Sequence, residues 1–294
     1  MKPKLSLKVI LALAIIYIVW GSTYLAIKFA IVTLPPLMMS GLRYLGASFI
    51  FLFVLLWQKP KRPTREEFWN AFFVGALLMT GGTGVMAIAQ KYVSTGVASI
   101  GIAAVPLWSC LFAALLGTKP NVQEIIGLCV GFVGIMILNS DKALHAQWLG
   151  ALLLFLAPVF WAFGSMLSRR INMPKNVWVS TTIQMISGGV CSLCLGLILG
   201  ERITTMPSTA SLLGLLYLTF IGSFVGYTLY QYLLVTVRPA LATSYAFVNP
   251  LVAILLGLSF AGEHITPTIG AALVVVITGV AFVILGHRES KGAT

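Results

Sequence analysis

The sequence predicts an all-α integral membrane protein: ten transmembrane helices, built as two inverted five-helix repeats around a central cavity. Three observations predict it. Hydrophobic residues make up 59% of the 294 positions and charged residues only 9%, against about 45 to 50% and about 25% in soluble domains. The chain divides into about ten apolar runs, each close to the roughly 20 residues that cross a bilayer core. Its motifs also recur at a near-constant offset, as set out below.

The first helix is expected over about Leu7 to Thr33, ending at Pro35-Pro36 where the chain must turn. The second covers Leu37 to Trp57 and the third Phe68 to Gln90, which includes Gly81-Gly82-Thr83-Gly84. The fourth, Thr95 to Leu116, carries Pro106 and Trp108. The fifth, Glu124 to Leu138, has Gly127, Gly131 and Gly134 at a spacing that lets helices approach closely. The sixth to eighth are expected over Trp148 to Leu167, Val177 to Leu199 and Ser211 to Leu234. The ninth, Ala240 to Ala261, should break or bend near Asn249-Pro250, and the tenth runs from Ile265 to Leu285.

Charge orients these helices. Of the 19 Lys and Arg, 14 fall at one set of alternate helix ends, three (Lys91, Lys142, Arg202) at the other, and two (Lys28, Arg43) inside. This is the positive-inside bias, and it places both termini and the basic loops Lys59 to Arg65 and Arg169-Arg170 on the cytoplasmic side, while the absence of an Asn-x-Ser/Thr sequon fits a bacterial inner membrane. The net charge of +12 is therefore about topology, and nucleic acid is excluded as a partner. The basic start followed by LALAIIYIVWG resembles a signal peptide, but the apolar run continues too far and lacks a small-residue cleavage site, so a retained first helix is expected.

A shift of 144 lays Val105-Pro106-Leu107 on Asn249-Pro250-Leu251 and Gly82 on Gly226, and a shift of 141 lays Trp20 on Trp161 and Lys28 on Arg169. The implied units are residues 1–139 and 148–286. Five helices per unit is an odd number, so the second copy must be inserted upside down, with a binding site near the bilayer midplane. Chance matches of Gly and Pro, common in membrane sequences, are the competing explanation.

The chemistry left inside the membrane is sparse. All seven acids fall in loops or at helix ends, and His145, His264 and His287 are peripheral. That excludes paired-aspartate hydrolysis, a carboxylate proton relay, a zinc site and a serine-histidine dyad. No phosphate-binding loop is present, and neither an enzyme nor a cofactor or metal site is expected. Cys191 and Cys194 form a CxxC that reads as packing in lipid. Trp57, Trp69, Trp148 and Trp178 suit an aromatic belt, whereas Trp20, Trp108 and Trp161 fall mid-helix.

Candidate substrate-binding residues follow from polarity at depth. Trp20, Tyr24 and Lys28 recur at i, i+4 and i+8, and Arg43 lies at a similar depth on the next helix. A buried ammonium or guanidinium costs at least about 2.5 to 3.5 kcal/mol mid-helix, so each should face water, an anion or a partner. Lys28 could instead snorkel to the headgroups. Thr83, Trp161, Tyr227, Tyr230 and Asn249 complete the set; for Tyr227 and Tyr230 interface anchoring is the alternative, and for Asn249 satisfaction of the backbone freed by Pro250.

The segments WGSTY (Trp20 to Tyr24), PPLMM (Pro35 to Met39), WAFGS (Trp161 to Ser165) and RPALATSYAFVNP (Arg238 to Pro250) resemble the EamA family of the drug/metabolite transporter superfamily, in particular its YedA-like branch. The resemblance covers essentially the whole chain. It implies helices one to four and six to nine around a central cavity, with five and ten as scaffold. It also implies export of small metabolites, amino acids or related amphipathic compounds, by a monomer or homodimer whose partners are a small-molecule substrate and the lipid bilayer. The alternatives are a multidrug or toxic-compound efflux carrier and a non-transporting channel or scaffold.

Overall fold

The computed structural model describes residues 6–115, 117, 120–140, 147–236 and 245–290. Asp141, His145, Thr243, Ser244 and the start of the RPALATSYAFVNP segment lie outside the described residues. Among the described residues every regular element is helical. Seven helices are long and apolar enough to cross a membrane: α1 (Leu7–Ala30), α2 (Pro36–Gln58), α3 (Arg65–Ala89), α4 (Thr95–Leu115), α6 (Trp148–Ser168), α7 (Val177–Ile198) and α8 (Thr209–Leu233). Three others, α5 (Val122–Asn139), α9 (Tyr245–Phe260) and α10 (Pro267–Ser290), contain shorter apolar stretches.

Helix starts follow the local sequence. Ser6, Asn176 and Ser208 cap α1, α7 and α8 through their side chains, and Thr64/Glu67 and Asn121/Glu124 form reciprocal capping boxes on α3 and α5. Large apolar side chains such as Phe53, Leu56 and Trp57 point outward, as a lipid-facing surface requires.

Two expectations about helix continuity are exchanged. Helix α9 runs unbroken through Pro250 from Tyr245 to Phe260, whereas α4 is interrupted at Ala103-Ala104, just before its own proline, Pro106. Two further irregularities had no sequence signal: π-helical segments at Ala76–Gly84 in α3 and Leu218–Val225 in α8.

Helix pairing has an internal regularity. The most extensive contacts join α5 to α10 and α2 to α7; α1 packs on α8 and α9, while α6 packs on α3 and α4. Exchanging each helix for the one five places away leaves this pattern unchanged. At the α5–α10 seam a Cβ on Gly279 would lie 2.5 Å from the Cα of Gly131, so the approach requires glycine at 279.

Side chains also tie the connections into two groups. At one end Asn70 Nδ2, near the start of α3, donates to the carbonyl of Asn172 beyond α6 at 2.9 Å, which brings the 58–64 and 169–176 connections together. At the opposite end Glu201, just past α7, accepts from the backbone N–H groups of Leu37 (3.3 Å) and Met38 (2.9 Å) at the start of α2. Glu263, just past α9, accepts from Thr95 N (2.8 Å) and Thr95 Oγ1 (2.7 Å) at the start of α4. The hydroxyls of Thr33, Ser208 and Ser211 join the end of α1 to the start of α8.

Both glutamates are delivered the same way. Gly200 and Gly262 take positive φ (82° and 61°) to end their helices, and the next residue is turned across to the other half. A Cβ on Gly257 would lie 2.5 Å from Thr95 Oγ1 and 3.1 Å from Glu263 Cδ, so this glycine makes the space the carboxylate occupies. Gly257→Ala and Glu263→Gln should therefore each destabilise the protein by about 1–3 kcal/mol, the range for an unsatisfied buried donor or an overfilled site. Thermal unfolding in detergent should show the two losses in one protein to be much less than additive; full additivity would mean that the glycine does not serve the glutamate.

Candidate functional site

A cavity of about 500 Å³ lies between the two halves of the chain. Its wall takes residues from α1 to α6, α8 and α9. Pro120, Glu124 and Arg169 place its mouth at the end that carries the 169–176 connection, and none of its lining residues comes from the connections at the Glu201/Glu263 end.

Eight of the nine candidate residues line this space: Trp20, Tyr24, Arg43, Thr83, Trp161, Tyr227, Tyr230 and Asn249. Lys28 is the exception. It is half-buried and contributes nothing to the cavity wall. The helical repeat gives the reason: at about 100° per residue an i+8 neighbour lies about 80° around the helix from Trp20. The cavity face of α1 follows Trp20, Thr23, Tyr24 and Ile27 instead. The expected pairing of Lys28 with Arg43 across one chamber is therefore corrected.

Arg43 is 6% exposed. Its Nε donates to Ser223 Oγ at 2.7 Å, and its guanidinium carbon sits 5.0 Å from the centre of the Tyr44 ring. No carboxylate pairs with it among the described residues. Ser223 belongs to the π segment of α8, and so does Gly222, whose carbonyl accepts from Trp20 Nε1 at 3.2 Å. The wider π register displaces this stretch from regular spacing, which lets one turn receive two side chains from the other half. In the counterpart segment of α3, Thr80 Oγ1 donates across to Gly188 O (3.2 Å) in α7, while Thr83 Oγ1 bonds the Tyr44 hydroxyl within the same half.

Trp20 is the centre of an aromatic cluster. Its ring lies 4.7 Å from Tyr245, 5.1 Å from Tyr230 and 5.8 Å from Tyr227, in edge or tilted contacts. A Cβ on Gly226 would overlap Trp20 Nε1, so glycine is required there for the indole to reach Gly222. Asn249 is 6% exposed, and its Oδ1 has no hydrogen-bond partner among the described residues. Trp108 lies elsewhere, against Phe112, Phe132 and Phe155.

Sequence reasoning missed Ser223, Tyr44, Tyr245 and the two charges at the mouth, Glu124 and Arg169. Glu124 sits at a helix end, as expected, where it caps α5; it is also 7% exposed and lines the cavity.

A chamber lined by rings and a buried cation thus lies between two sets of apolar helices. The profile of the EamA-like transporter family matches twice, over residues 7–140 and 148–285, and the chain belongs to that family. It is 39% identical to the uncharacterized inner membrane transporter YedA of Escherichia coli (strain K12), over 94% of this chain and 90% of that one. It is 27% identical to the uncharacterized transporter YvbV of Bacillus subtilis (strain 168), covering 96% and 93%. It is 24% identical to a probable amino-acid metabolite efflux pump of Escherichia coli (strain K12), covering 96% of each. A crystal structure 17% identical in sequence superposes with a TM-score of 0.66 over 95% of this chain and 98% of that one, which shows a shared fold.

Gly226→Ala should displace the Trp20 indole and cost about 1–3 kcal/mol, the usual range for an added methylene in a filled interior. A shift in tryptophan emission together with lower thermal stability would show it. Unchanged emission would mean that Trp20 does not depend on this notch.

Proposed function

We propose that the protein is a secondary transporter of the bacterial inner membrane that exports a small amphipathic metabolite by alternating access. All ten helices cross the bilayer, and the 7–140 and 148–285 halves are oppositely inserted copies. The observation that carries this reading is the cavity itself, shared by both halves and reaching one end only. The exchange symmetry of the helix pairs, the π segments at matched places in α3 and α8 and the two family matches support the inverted repeat.

The mouth is cytoplasmic. It lies at the end where the basic connections 58–64 and 169–176 meet, the side the positive-inside bias assigns to the cytoplasm. The opposite end is shut by contacts that each join one half to the other: Glu201 on α2, Glu263 on α4, and Thr33 on Ser211. Export requires these to part while the halves close over Arg169 and Glu124. Arg43 and Asn249 hold the cargo, and the rings of Trp20, Trp161, Tyr227 and Tyr230 shield its apolar body. The name of the efflux-pump relative supports a metabolite of amino-acid size or similar as cargo.

Counterflow in proteoliposomes, screened with metabolites whose toxicity falls on overexpression, tests the reading. Arg43→Ala should lower transport at least tenfold, because it removes a charged hydrogen-bond donor from a desolvated site. Lys28→Ala, outside the cavity, should leave transport within about twofold of the parent. Equal loss in both variants would remove the assignment of the cargo to this cavity.

A further inference from the structure

Resting on the carrier reading above, we infer that the cargo is an organic monoanion with an apolar body and a hydrogen-bond donor close to its acidic group, bound in preference to a zwitterion or a cation. The charge on the cavity wall carries the inference. The charged side chains among its described lining residues are Arg43, Arg169 and Glu124. Arg169 and Glu124 are both at the mouth, whereas Arg43 is seven residues into α2 from the closed end, about 10 Å along the helix.

The guanidinium brings a positive charge and only hydrogen-bond donors. It is nearly fully buried, and its described partners are a neutral hydroxyl and a ring face. Buried charges are ordinarily paired, so the missing counter-ion is supplied by the ligand. Ser223 holds Nε, which leaves the terminal nitrogens of the fork for a carboxylate or a similar planar anion. An ammonium on the same ligand would restore the uncompensated positive charge beside Arg43.

Asn249 adds an independent requirement. The residue lines the cavity, and its Oδ1 is buried without a hydrogen-bond partner among the described residues, so the bound ligand presents an N–H or O–H to it. A 2-hydroxy acid meets both demands at net charge −1. The surrounding rings of Trp20, Tyr230 and Tyr245 favour an apolar or aromatic remainder.

Four probes on one skeleton test this with the purified full-length chain in nanodiscs: 3-phenyllactate, 3-phenylpropanoate, phenylalanine and phenethylamine. Binding is followed by tryptophan fluorescence and by thermal stabilisation. Phenyllactate should bind at least tenfold more tightly than phenylalanine, phenethylamine should bind weakest, and phenylpropanoate, without the hydroxyl, should be several-fold weaker than phenyllactate. Arg43→Gln should abolish the preference for anions while Arg43→Lys keeps it in part, and Asn249→Leu should erase the difference between phenyllactate and phenylpropanoate.

Phenylalanine binding as tightly as phenyllactate, an unchanged order in folded Arg43→Gln, or no saturable binding of phenyllactate would overturn the inference. Counterflow separates it from the carrier reading. The predicted order without counterflow would remove the carrier and keep the ligand class, and counterflow that prefers phenylalanine would do the reverse.

Discussion

The hydrogen bond from Arg43 to Ser223 joins the two halves of the chain in the buried interior. A guanidinium held in an apolar bundle must be compensated, and much of the interior is arranged around that need. Ser223 is available because α8 widens into a π segment, and the same segment presents Gly222 O to Trp20. Trp20 in turn organises Tyr227, Tyr230 and Tyr245. One cation, one hydroxyl and one irregular turn thus fix the ring cluster and the depth of the chamber.

The other contacts between the halves follow the same logic at lower stakes. Glu201 and Glu263 satisfy helix-start N–H groups that would otherwise lack partners near the membrane surface. They do so from the opposite half, so the caps also close one end. The connections that meet at the other end are basic, and the α5–α10 and α2–α7 contacts link the halves along the bundle.

How much of this was legible in the sequence depends on the range of the interaction responsible. Helix positions follow from apolar run length and local caps, so α2, α6 and α7 start and stop within about two residues of expectation. Polar side chains at depth were legible too, because few places in an apolar bundle can hold Arg43, Thr83 or Asn249. Lys28 misled because an i+8 neighbour drifts off the helix face. The π segments and the Glu201 and Glu263 caps were invisible, since each depends on a partner supplied by the other half. Pro106 and Pro250 look alike in sequence, yet α4 breaks and α9 continues.

The central claim is that two oppositely inserted copies enclose one chamber, which requires the 58–64 and 169–176 connections to share a face of the membrane. Single cysteines placed by Pro60→Cys and Met173→Cys in a cysteine-free background, labelled with an impermeant thiol reagent in right-side-out and inside-out vesicles, measure this directly. The account predicts that both label from the cytoplasmic side only. Labelling of the two positions from opposite sides would contradict it.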